Sequence, residues 1–97
     1  MPSTKTENGY SASEIKSGKY LKVMIKVKEN IIEELIIHGD FFAFPEDAID
    51  VLEKNAKGKT LDDVLKFIDE LDVHLVGISK EDLKSVIKKA FEGAKSL

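Results

Sequence analysis

Cysteine and arginine are both absent from this 97-residue chain. Without cysteine, disulfides, thiolate nucleophiles and thiolate metal sites are excluded. Without arginine, all 15 basic residues are lysine. The planar guanidinium fork that grips phosphate or carboxylate through two parallel hydrogen bonds is therefore missing. The lysines are interleaved with 18 acidic residues, and the net charge is -3. That pattern offers no basic patch of the kind nucleic acid demands, so no nucleic-acid partner is expected. No apolar run approaches the roughly 20 residues of a membrane-spanning helix. The opening residues, MPSTKTENGYSASE, lack the apolar stretch of a secretory signal. A cytoplasmic location with no membrane association is the expectation.

Catalytic patterns are equally scarce. None of the serines stands in a nucleophile elbow or beside a histidine base. His38 and His74 are the two histidines, and no HxH or HExxH spacing accompanies them. Gly39, Gly58 and Gly77 are isolated, so no glycine-rich phosphate loop is present. Lys57-Gly58-Lys59-Thr60 contains a GKT, but the preceding glycines of a P-loop are missing; it reads as a helix stop followed by the next helix's cap. The acidic pairs Glu46-Asp47, Asp62-Asp63 and Glu81-Asp82 fall in expected first turns of helices, where carboxylates oppose the positive end of the helix dipole. A chain of this kind has no nucleophile, metal centre or phosphate cradle of its own.

What is present is one domain's worth of periodic structure: 42% hydrophobic and 34% charged residues over a length that suits a single core. Residues 1–17 are polar without sustained period and read as a flexible N-terminal segment, with Tyr10 and Ile15 able to anchor its second half. Residues 18–97 read as the folded domain. From Tyr20 to Lys28 apolar and polar residues alternate strictly, with Leu21, Val23, Ile25 and Val27 on one side. This is the period of a half-buried strand. Glu29-Asn30 suits a short turn, and Ile31–His38 a second strand of an antiparallel hairpin. In that second strand Ile31, Leu35 and Ile37 share a face with Glu33, while Ile32, Glu34, Ile36 and His38 share the other. Either both faces are covered or a bulge shifts the register. Pro45 reads as a first-turn helix residue. Ala48, Ile49, Leu52 and Ala56 then form one helical stripe, and Leu61, Val64, Leu65, Ile68 and Leu71 a second. Ser79 and Asp82 open a third helix, with Leu83, Val86, Ile87 and Ala90 facing inward. Val73–Ile78 reads as a short strand or a packed connection. Strands followed by helices predict a small α+β two-layer sandwich, an antiparallel sheet starting with a hairpin and about three helices on one face. Lys22 and Lys26 leave the other face open to solvent or a partner.

The segment HGDFFAFPEDAIDVLE holds three of the five phenylalanines within four residues. Such density serves a core corner or an apolar contact patch. Gly39 permits a positive φ or close backbone packing, and Asp40 is placed to accept backbone hydrogen bonds. Adjacent extended residues point oppositely, so Phe41 and Phe42 are expected to divide, one ring in the core and one near the surface.

Gly39-Asp40-Phe41-Phe42, preceded by IIEELIIH and followed by Pro45-Glu46 and a helix, resembles the accessory domain of lipoate–protein ligase in the form of a separate small subunit. The hairpin GKYLKVMIKVKEN, the helix LDDVLKFID and the segment VGISKEDLKSVIKKAF support the resemblance, which spans about residues 18 to 93. It departs from the family's tendency at Ala56, where leucine is usual, and in the opening SASEIKSGKY. The resemblance implies a non-catalytic accessory subunit. Its catalytic partner activates lipoate with ATP to lipoyl-AMP and transfers lipoyl to lysines of acceptor domains in 2-oxoacid dehydrogenases or the glycine cleavage system. Lipoate, ATP and magnesium are then expected on that partner, and no cofactor on this chain alone. The residues implied for the partner interface or motif are Gly39, Asp40, Phe41, Phe42 and Pro45, with no catalytic role for any of them. Two alternatives stand beside this reading: a free-standing interaction or scaffold domain that dimerises through its sheet, and a small binding module for a hydrophobic ligand.

Overall fold

A computed structural model describes residues 3–7, 10–15 and 20–95, with side chains from residue 10 onward in those ranges. Four strands, β1 (Ser3–Glu7), β2 (Tyr10–Ile15), β3 (Leu21–Lys28) and β4 (Ile31–Gly39), form an antiparallel sheet in the order β1-β2-β3-β4. A second, two-stranded sheet pairs β5 (Phe42–Phe44) with β6 (His74–Val76). Three helices complete the domain: α1 (Ala48–Ala56), α2 (Leu61–Glu70) and α3 (Lys80–Lys95). The result is the two-layer α+β sandwich expected from the pattern, with α3 lying over β2 and β3 and α1 against β4. Among the described residues no helix is long and apolar enough to cross a membrane.

The predicted hairpin forms as read. Glu29 and Asn30 both take positive φ, 52° and 66°, the signature of a two-residue turn whose twist matches the flanking strands. Of the two alternatives for β4, the structure adopts the bulge. Lys26 pairs with Glu34 and Val27 with Ile32, so Glu33 is the extra residue. The reason is burial. A regular strand would carry Glu33 inward with Leu35 and Ile37; the bulge turns it to solvent and brings Ile32 into the core instead. Leu21, Val23, Ile25, Ile32, Leu35 and Ile37 meet Leu52, Val64, Ile68, Leu83, Val86 and Ile87 in one core. Leu65, expected there, is only half-buried.

Within residues 1–17, β1 and β2 add two strands that no apolar alternation announces. Ser11, Ala12 and Ser13 are buried. Ser11 and Ser13 stand opposite Ile25 and Val23, so they face α3 from the same side of the sheet. Small side chains suit close approach of a helix, but they do not register as an apolar stripe, and the period is therefore invisible.

The outer edge of β4 is closed by polar contacts. Ile32 N–H donates to Lys59 O at 2.8 Å, Gly58 N–H donates back to Ile32 O at 2.8 Å, and Ile37 N–H donates to Glu53 Oε2 at 2.7 Å. A charged side chain and a loop thus occupy hydrogen-bonding positions that another strand would need. The helix ends follow the expected chemistry. Thr60 Oγ1 accepts from Asp63 N–H at 3.3 Å. Ser79 and Asp82 form a reciprocal box, each side chain accepting from the other's backbone N–H at 3.0 Å.

One helix boundary differs from the sequence reading. Pro45 is not in the first turn of α1. It follows a cis Phe44–Pro45 bond and lies in a turn closed by Ala48 N–H to Pro45 O at 3.0 Å. Phe44 is still paired with His74, so the chain must reverse before helical bonding begins with Val51 N–H to Asp47 O at 2.9 Å.

Candidate protein interface

Gly39 ends β4 where two backbones meet. A Cβ there would collide with the Tyr20 carbonyl oxygen and stand 2.7 Å from Phe41 Cδ1. Close approach is therefore the reason for glycine at this position. Asp40 holds the turn through its backbone N–H, which donates to Tyr20 O at 2.9 Å, instead of through its side chain, which is exposed.

Beyond this turn the aromatic rings divide. Phe41 packs against the hydrophobic core. Phe42 lies 65% exposed and Phe44 50% exposed. The pairing explains why. Phe42 stands opposite Val76, Ala43 opposite Leu75, and Phe44 opposite His74. Directly opposed residues share a face of a sheet, and alternate residues share it along a strand. Phe42, Phe44, Val76 and His74 therefore form one face, while Ala43 and Leu75 form the other, where Leu75 packs on the core. Val76 is itself 44% exposed. Next to this face runs an open groove of about 580 Å³, lined by Phe41, Phe42 and Phe44 with Ile37, Ile49 and Glu46 among others.

Of the sequence-marked residues, Gly39 and Phe41 shape the support, Asp40 and Pro45 are exposed flanks, and Phe42 presents its ring. Phe44, His74 and Val76 belong to the same face, although the sequence reading does not place them at the interface. The FxF and HxV alternations were the available signals, but only the pairing of β5 with β6 places them side by side.

The open face of the large sheet is different in character. Tyr20 OH donates to Glu14 Oε2 at 2.8 Å. Lys26 Nζ sits 4.9 Å from the Tyr10 ring centroid. A hydrogen bond to Glu34, aided by burial and by the Glu34 charge, raises the Tyr10 phenol above its ordinary pKa. These polar groups engage one another within the chain. Among the described residues no group of three or more His, Cys, Asp or Glu side chains is placed to hold a metal ion.

No protein-family profile matches the chain. It is similar to lipoate-protein ligase A subunit 2 of Thermoplasma acidophilum, with 30% identity over 71 residues, covering 70% of this chain and 76% of that protein. It also superposes, with a TM-score of 0.72 and 25% identity, on a chain from a structure described as a bi-partite lipoate protein ligase and its E2 lipoyl domain from the same organism, covering 90% of this chain and 97% of that one. With that identity and coverage, the chain belongs to the family of lipoate–protein ligase A subunit 2, the accessory subunit of a lipoate–protein ligase.

Proposed function

We propose that this chain acts by docking on a separate catalytic subunit and supporting the ATP-dependent activation of lipoate to lipoyl-AMP. Lipoate, ATP and magnesium sit on that partner. The activated lipoyl group then passes from the partner to a lysine of an acceptor domain, of the kind found in 2-oxoacid dehydrogenases or the glycine cleavage system. Gly39, Asp40, Phe41, Phe42 and Pro45 serve the docking region: the first and third shape it, and Phe42 makes contact. The observation that carries the reading is the likeness, over 97% of its length, to a chain of a bi-partite ligase structure. The exposed phenylalanines fit it, because a subunit that works by association needs an apolar contact surface more than a reacting group.

The test is lipoate-dependent ATP–pyrophosphate exchange by the catalytic subunit alone, this chain alone, and the two combined. The combination is expected to be active, with little exchange from either component. Full activity of the catalytic subunit without this chain, or any exchange by this chain by itself, would sink the proposal.

A further inference from the structure

The sequence around β5 and β6 is acidic. Between Lys28 and Lys54 the sequence carries carboxylates and no lysine, and the same holds between Lys66 and Lys80. Those two stretches contain β5 and β6 respectively. Asp40 and Asp72 stand two residues ahead of Phe42 and His74 and are exposed. Glu46 shares the groove with both exposed rings, and Asp47 follows it, also exposed. Lys80, the first lysine after β6, is engaged elsewhere: its Nζ donates to Leu71 O at 2.7 Å.

We infer that the β5–β6 face, centred on Phe42, Phe44 and Val76, is the docking surface for the catalytic subunit, and that the matching surface there is apolar with a lysine- or arginine-rich border. This rests on the proposed function and specifies its contact. The acidic border decides the class of occupant. A second copy of this chain, docked face to face, would bring two acidic borders together, and like charges across an interface are unfavourable. The apolar centre decides between the remaining protein partners. A lasting subunit contact is served by exposed aromatic rings, whereas an acceptor domain must leave after each transfer and is suited to a more polar contact. Phe42 and Phe44 are the expected anchors, since large aromatic side chains at the centre of a patch dominate association. The acids steer encounter and make it sensitive to salt.

The experiment measures association of the full chain with its catalytic subunit at low and high salt, for the wild type and for Phe42→Ala, Phe44→Ala and the double charge reversal D47K/D72K. Phe42→Ala or Phe44→Ala is expected to weaken binding roughly 30-fold, with the thermal unfolding midpoint of the isolated chain nearly unchanged. The charge reversal is expected to slow association roughly tenfold at low salt and much less at high salt. If the wild type forms no complex, the proposed function itself fails. If the wild type binds and all three variants bind equally well, the proposed function stands and this surface is wrong. Faster association of the charge reversal overturns the basic-border assignment. Sedimentation of the chain alone is expected to report a monomer; a dimer abolished by Phe42→Ala, or Phe42-dependent binding of an isolated lipoyl domain, overturns the choice of occupant.

Discussion

Gly39 and Phe41 form a single packing unit although neither makes a chemical step. The missing Cβ at Gly39 lets Phe41 fold back against the strand end and lets Asp40 reach Tyr20 O. Gly39→Ala is expected to lower stability by about 1–3 kcal/mol, because the added methyl must displace backbone as well as a ring. Urea unfolding of the variant checks this, and an unchanged midpoint would show that the turn relaxes freely. Phe41 and Phe42 are neighbours in sequence with opposite fates, one packed on the core and one 65% exposed. Phe41→Ala is expected to cost about 2–4 kcal/mol in folding, below the range for a fully buried ring because Phe41 is only partly covered. Phe42→Ala is expected to stay within about 0.5 kcal/mol of wild type. The same unfolding assay separates them, and equal losses would mean that both rings close the core. The division itself was legible from the two-residue period of an extended chain. Which ring faces inward was not, because that depends on the β5–β6 pairing.

At the level of elements, the clearest agreement lies at the helix starts. Thr60 and Ser79 were legible as caps because the chemistry is local: a hydroxyl needs only the backbone N–H groups of the following turn. Ser79→Ala is expected to lower stability by about 1 kcal/mol. Asp82→Ala in the same background should add little, since the two residues share one reciprocal box. A double-mutant thermal unfolding cycle measures this; fully additive losses would show two independent caps. The start of α1 departs from the local pattern for a related reason. Proline is at home in a first helical turn, but Phe44 is paired across to His74, far away in sequence, and the chain spends Pro45, Glu46 and Asp47 on turning. The residue pattern of β4 leaves the bulge as one of two options. Excluding the Glu33 carboxylate from the core favours it.

Across the whole molecule, the sheet divides into halves of unequal hold. β3 and β4 contribute Leu21, Val23, Ile25, Ile32, Leu35 and Ile37 to the core, whereas β2 offers the buried Ser11, Ala12 and Ser13 and a partly buried Ile15. Among the described residues, the hydroxyls of Ser11 and Ser13 are buried without a hydrogen-bond partner. Each such group costs about 1–3 kcal/mol, and three small side chains with a partly buried Ile15 bury less apolar area to offset it than the large residues of β3 and β4. Opening of the β1–β2 half should therefore be easier than global unfolding. In native-state hydrogen exchange, amides of β2 are expected to exchange on the order of tenfold or more faster than those paired between β3 and β4. Ser13→Ala should slow β2 exchange by about 1 kcal/mol equivalent, since it removes an unsatisfied hydroxyl without removing a contact. Uniform protection across all the strands would contradict the division.

The sequence by itself determined the class of fold, the hairpin with its Glu29-Asn30 turn, the three helices and nearly all of the large core residues. These rest on local periods and caps, which nearby residues specify without knowing the rest of the chain. The family was legible too, through GDFF and the order of elements around it. Only the tertiary structure decided the β1–β2 half, because Ser11, Ala12 and Ser13 carry no hydrophobic period, and the two serines are placed by the approach of α3. It alone also assembled Phe42, Phe44, His74 and Val76 on one face. That grouping arises from hydrogen bonds between two three-residue strands separated by two helices, a pairing that no local pattern in either strand specifies.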